Sequence, residues 1–120
     1  MRDDDGVAER QHRKEDEVKY LVSWTYRFNG SAADNEDSMR RGLAVFSKWA
    51  PPESTTYLAF LGRVDGGGGF AVVETDNPAD LADTTSKFAF IAEYQIYPVL
   101  EMEQAAQSLQ QGVDFRESIS

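Results

Sequence analysis

Apolar and polar positions alternate from Val18 to Phe28, with Leu21 the one apolar residue among the polar positions. Val18, Tyr20, Val22, Trp24, Tyr26 and Phe28 fall on one side, and Lys19, Leu21, Ser23, Thr25 and Arg27 on the other. A period of two in a stretch rich in β-branched and aromatic residues predicts a strand. The period changes after NGSAADNEDS. Met39, Leu43, Phe46 and Ala50 recur at helical spacing, Val45 and Trp49 widen the stripe, and Pro51-Pro52 ends it. Two more strands follow, Thr56–Val64 and Phe70–Thr75, joined by the glycine run 66–69. So short a joint predicts an antiparallel hairpin. Alternation along its first strand sets Tyr57, Ala59 and Leu61 against Leu58 and Phe60. Asn77-Pro78-Ala79-Asp80 signals a helix start, with Asn77 as cap, Pro78 at the first helical position and Asp80 in the first turn. Leu81, Thr84, Phe88 and Ile91 supply its buried stripe. Tyr94, Ile96 and Pro98 then alternate with Gln95, Tyr97 and Val99 in a fourth strand, with Pro98 near its end or on an edge. A last amphipathic helix carries Met102, Ala105, Ala106 and Leu109, and Gly112 is placed to end it.

The order is β-α-β-β-α-β plus a C-terminal helix, the split βαβ order of the ferredoxin-like α+β fold. Both inner helices would cover one face of a four-stranded antiparallel sheet. The strands carry apolar groups on both faces, so the uncovered face predicts a homodimer packed sheet to sheet. Residues 1–17 mix acids and bases and read as a disordered arm. Residues 18–112 form the domain, and 113–120 a fraying tail.

Composition narrows the chemistry. A chain of 120 residues, 41% hydrophobic, makes one domain with one core. With no cysteine there is no disulfide framework, thiolate metal site or cysteine nucleophile. A net charge of −9 repels nucleic acid and anionic membrane. No apolar run is long enough to span a bilayer, and the charged N-terminus has no secretory h-region, so a cytoplasmic protein is expected. The one histidine, His12, lies in the arm.

The glycine run invites a phosphate-loop reading, but no Gly-Lys-Ser/Thr ending follows and no helix begins there. It is expected to be a hairpin tip. If the tip is centred between Gly67 and Gly68, Arg63 lies opposite Val72 and within diagonal reach of Glu74. Arg63 and Glu74 are then the candidate catalytic residues, the arginine anchoring an anionic or carbonyl group and the carboxylate orienting it. An ordinary cross-strand ion pair explains the same two residues. Trp24, Tyr26, Tyr57, Tyr94 and Tyr97 are candidate substrate-binding aromatics, or simply core and interface. The acids Asp34, Glu36, Asp37 and Asp76, Asp80, Asp83 match no calcium loop, suit helix N-termini, and predict no metal site.

The strand "LVSWTYRF", the "LGR" of Leu61–Arg63, the "VETDNP" of Val73–Pro78 and the "YQIYPVLE" of Tyr94–Glu101 together resemble the domain-of-unknown-function family 3303. The resemblance spans roughly residues 18–105 in matching order and implies a dimeric α+β barrel. It departs where Val64-Asp65 stands for a usual Trp-His pair, Phe90 for an acid, and Phe88 for a tryptophan. Two functions stay open. One is a homodimeric enzyme without metal or organic cofactor, monooxygenase- or cyclase-like, acting on a hydrophobic or aromatic substrate. The other is a non-catalytic dimeric ligand-binding or regulatory module.

Overall fold

The computed structural model describes residues 17–119. The arm read over 1–17 lies outside the described residues save for Glu17, and His12 with it. The elements are β1 (Val18–Tyr26), α1 (Ala32–Lys48), β2 (Thr55–Gly62), β3 (Gly68–Thr75), α2 (Pro78–Phe88), β4 (Ala92–Val99) and α3 (Met102–Ile119). The strands form one antiparallel sheet in the order β2-β3-β1-β4. This is the ferredoxin-like arrangement that the sequence predicts. Pro98 falls next to last in β4, on an edge of the sheet, where its missing N–H costs no ladder bond.

Local chemistry sets the helix ends. Ser31 caps α1, its hydroxyl accepting from the Asp34 N–H at 3.1 Å. The helix ends before Pro51-Pro52, with the Trp49 N–H donating to the Phe46 carbonyl at 3.1 Å. Pro78 opens α2 as expected, but Asn77 makes no side-chain cap. Its backbone N–H instead donates to Thr75 Oγ1 at 3.0 Å, which draws the residue into the corner after β3. The Ser54 hydroxyl donates to the Asp80 carboxylate, tying the start of β2 to the first turn of α2.

The third helix corrects the expected tail. It runs through Gly112 to Ile119, and Gly112 does not take a positive φ. One glycine costs a helix only about 1 kcal/mol against alanine. The following residues contain no breaker, and the Gln110 side chain donates to Asp114 at 2.9 Å across that turn.

Two corrections fall on the hairpin. Gly62 pairs with Gly69, so the tip is centred between Asp65 and Gly66, earlier than expected. Gly66, at φ 75°, takes the turn. Gly68 and Gly69 are already strand. A Cβ on Gly68 would stand 1.9 Å from the Trp24 carbonyl oxygen, and one on Gly69 2.3 Å from the Trp24 ring. Those two glycines make room for Trp24. The second correction is a register shift between Tyr57 and Ala59. The extra residue, Leu58, breaks the alternation, so Tyr57 and Phe60 share one face, opposite Val73 and Ala71.

The covered face carries the core: Val22, Ala71, Val73 and Leu81 pack together, with Tyr20, Trp24, Tyr57, Tyr94 and Ile96 against them. Among the described residues, no layer covers the opposite face. Leu61, Phe70 and Tyr97 on it are 60%, 45% and 50% exposed.

Candidate functional site

The two inner helices cover the sheet without closing on it. Between them and the covered face lies a cavity of about 560 Å³. Helix α1 contributes Met39, Leu43 and Phe46, which share one face at steps of three and four, and Trp49, the extended residue that caps its end, joins them. The sheet contributes Val22, Trp24, Tyr26, Tyr57, Phe60 and Tyr94, and α2 contributes Leu81, Thr84 and Phe88. The rings interlock around Phe60. Its centroid lies 5.8 Å from Trp24, 5.3 Å from Tyr57 and 6.1 Å from both Phe46 and Trp49. Trp49 sets its edge against Tyr57 at 5.9 Å and Phe88 at 6.0 Å. Aromatic pairs at such spacings hold one another in place beyond the area they bury. Leu43, Phe46 and Phe60 are about half exposed or more, so this side of the cavity is open.

Among the described residues, no Asp, Glu, Lys, Arg or His lines the cavity. Its polarity comes from neutral groups. Burial holds the Tyr57 phenol above its ordinary value. Burial, and then the neighbouring phenols of Tyr57 and Tyr26, push Tyr94 up to about 12. Phenols so shifted stay protonated and serve as hydrogen-bond donors rather than bases. Two buried polar atoms of the wall, Trp49 Nε1 and Thr84 Oγ1, have no hydrogen-bond partner in the structure. Such a wall accepts a neutral apolar body with an acceptor oxygen. It offers no charged side chain to pair with a buried charge, and its neutral donors offset that cost only in part.

The sequence-derived candidates divide. Trp24, Tyr26, Tyr57 and Tyr94 all reach the cavity. Tyr97 does not: it stands opposite Leu21 on the uncovered face, and its hydroxyl meets Gln95 Oε1 at 3.2 Å. Arg63 and Glu74 are not brought together. Arg63 sits at the hairpin tip and pairs with Asp65 at 2.5 Å. Glu74 is near the far end of β3, opposite Thr56 and Lys19. The tip's earlier centre explains the separation. Asp65 belongs to the turn itself: it accepts from the Gly67 N–H at 2.9 Å, and that bond, with Arg63, holds its carboxyl below the ordinary range.

Among the described residues, no group of acids and histidines is placed to hold a metal, and no helix is long and apolar enough to cross a membrane. Phe60, Phe46, Trp49 and Phe88 are also wall residues; the sequence pattern places the last three in helix stripes and sets Phe60 on the strand face opposite Tyr57. Their signal was present as an apolar stripe, which reads alike for a packed core and a hollow one.

The family model of the domain of unknown function DUF3303 matches residues 18–113, and the chain belongs to that family. No curated protein matches it. Among solved structures it is similar to a hypothetical protein of Arabidopsis thaliana, 10% identical with a TM-score of 0.36, covering 70% of this chain and 87% of that one. It is also similar to a hydroxynitrile lyase from Passiflora edulis, 16% identical with a TM-score of 0.32, covering 71% and 94%. A dimeric protein of unknown function and ferredoxin-like fold from Bacteroides fragilis is 15% identical, with a TM-score of 0.33, covering 70% and 97%. Likenesses of this size carry no argument about what the chain does.

Proposed function

With membership of that family as the premise, we propose that the domain binds a neutral, largely apolar or aromatic molecule between its helices and its sheet. The observation that carries this reading is the wall: a cavity of about 560 Å³ built from rings and aliphatic groups, with phenols as its donors and no charged side chain. That volume falls within the roughly 300–1,000 Å³ of small-molecule sites. Tyr94, with Tyr57 and Tyr26 near it, supplies the donor that fixes the ligand's oxygen.

Binding without turnover is the reading this wall favours. The grouping of three phenols supports one catalytic variant, in which Tyr94 polarises a substrate oxygen; Arg63 and Glu74 have no part in it. A thermal-shift panel of uncharged aromatic ketones and alcohols tests the proposal. Neutral ketones such as 2-acetonaphthone are expected to raise the melting temperature in a dose-dependent way. A panel with no shift at any millimolar concentration would overturn it. Recovery of unchanged ketone after long incubation separates binding from turnover.

The uncovered face supports a homodimer through the sheet, since Leu21, Leu61, Phe70, Val72 and Tyr97 all lie on it. Sedimentation equilibrium is expected to give a dimer at micromolar concentration. Phe70→Glu, which places a charge in the middle of that face, is expected to give a monomer.

A further inference from the structure

Helix α3 has 18 residues and buries none of them. Met102, Ala106, Leu109 and Val113 follow one another at steps of three and four along one side. Met102 and Leu109 are 81% and 73% exposed. Helices in proteins owe most of their stability to the packing of such a stripe. Among the described residues, none covers the stripe enough to bury a member of it.

The start of the helix says where it stands. Glu101, the residue before α3, forms an ion pair with Lys19. Lys19 alternates with Tyr20 and Val22 of the core, so it belongs to the uncovered face, opposite Glu74 and Val99. The ion pair holds the Lys19 ammonium above its ordinary value and the Glu101 carboxyl below. The helix therefore leaves the sheet with its root tied to the uncovered face.

We propose that the apolar stripe of α3 packs against a second copy of this chain, clasping a dimer whose centre is the sheet face. The inference rests on the sheet-face dimer proposed above and adds a second contact to it. Area argues for it. Strands of about eight residues at ~3.3 Å rise and ~4.8 Å spacing give a four-stranded face of about 500 Å². A standard interface takes ~800 Å² from each partner. An 18-residue helix, about 27 Å long and about 10 Å wide, adds about 270 Å², which brings the sum close to that value. Charge argues against an anionic membrane, because Glu103, Asp114 and Glu117 outnumber Arg116 along the helix.

The test is sedimentation velocity on the full chain over a concentration series. Leu109→Glu with Val113→Glu keeps good helix formers and disturbs no buried group, so the monomer fold is expected to stand by circular dichroism. Its dimer dissociation constant is expected to rise about a hundredfold or more. Gln111→Glu, on the opposite side of the helix, is expected to leave the constant within about threefold of wild type. Wild-type dimerisation by the double variant overturns the clasp. If Phe70→Glu still dissociates the dimer in that case, the sheet-face reading survives alone. A wild-type chain that stays monomeric, or that floats with phosphatidylcholine vesicles through α3, removes the second copy as the occupant.

Discussion

The two faces of one sheet differ in patterning and meet different fates. On the covered face, Tyr57, Phe60, Trp24 and Tyr94 stand under two helices that touch each other little, and the layer encloses a hollow. On the uncovered face, Leu61, Phe70 and Tyr97 lie flat and open. The covered face is apolar along its length, whereas the uncovered face interleaves Leu21, Leu61, Phe70, Val72 and Tyr97 with Lys19, Glu74 and Gln95. The covered face carries large rings at positions where helix and sheet stay apart, and rings packed edge to face leave room that aliphatic groups would close. The uncovered face carries separate apolar groups, Phe70 and Tyr97 among them, that stay open in the monomer.

The sharpest break of the covered face comes from the hairpin. Gly68→Ala places a methyl on the Trp24 carbonyl at a backbone angle of φ 155°. It is expected to cost about 3 kcal/mol or more, measured by urea unfolding. The equivalent change on the surface, Gly62→Ala, meets nothing within 4 Å and is expected to be nearly neutral.

Adjacent valines of β3 compare the faces directly. Val73 is 0% exposed on the covered face, and Val73→Ala is expected to cost about 2 kcal/mol. Val72, which faces the other way, is expected to cost under about 1 kcal/mol in the monomer and to weaken the dimer instead. Equal stability losses in a monomeric background would mean that the faces are not distinct.

A smaller effect tests the cavity chemistry. Tyr94→Phe removes one neutral donor at nearly constant volume and is expected to weaken binding of an aromatic ketone roughly fivefold to tenfold, about 1 kcal/mol. The same change should leave binding of naphthalene, which has no acceptor oxygen, within about twofold. Calorimetric titration of both ligands reads the difference.

The last effect is on pH dependence and is confined to strongly alkaline solution. The folded-state value of Tyr94 lies at about 12, above its ordinary 10.0. Between those values the unfolded chain has lost the proton and the folded chain retains it, so stability falls as pH rises through that window. The alkaline side of the stability profile is expected to flatten in Tyr94→Phe, and a profile unchanged by the substitution would place the phenol in solvent.

The element order was legible in the sequence because its periods were long and clean. Trp24 alternates with its neighbours over the whole of β1, and α1 has proline at its end and acids at its start. The strand faces of β2 were not legible. A bulge at Leu58 inserts one residue, and nothing in TYLAF marks it, since every residue there suits a strand. The Arg63–Glu74 pairing failed for a related reason. Four glycines fit a turn at any register, and the ring of Trp24, a long way off in sequence, decides which of them belong to strand. The pocket aromatics Trp24, Tyr26, Tyr57 and Tyr94 were found as a set, but Tyr97 was not separable from them by residue type. The hollow itself leaves no trace in the pattern, because period records which side is apolar and not how far away the opposite layer lies.

The central claim is that the covered face holds a neutral ligand, and the intrinsic fluorescence of the protein reads it directly. Both tryptophans of the chain, Trp24 and Trp49, line the cavity. Titration with 2-acetonaphthone is therefore predicted to change the tryptophan emission along a saturable curve. The anion 2-naphthoate, of nearly the same size, is predicted to bind at least a hundredfold more weakly. Equal affinity for the two, or tighter binding of the anion, would contradict the account.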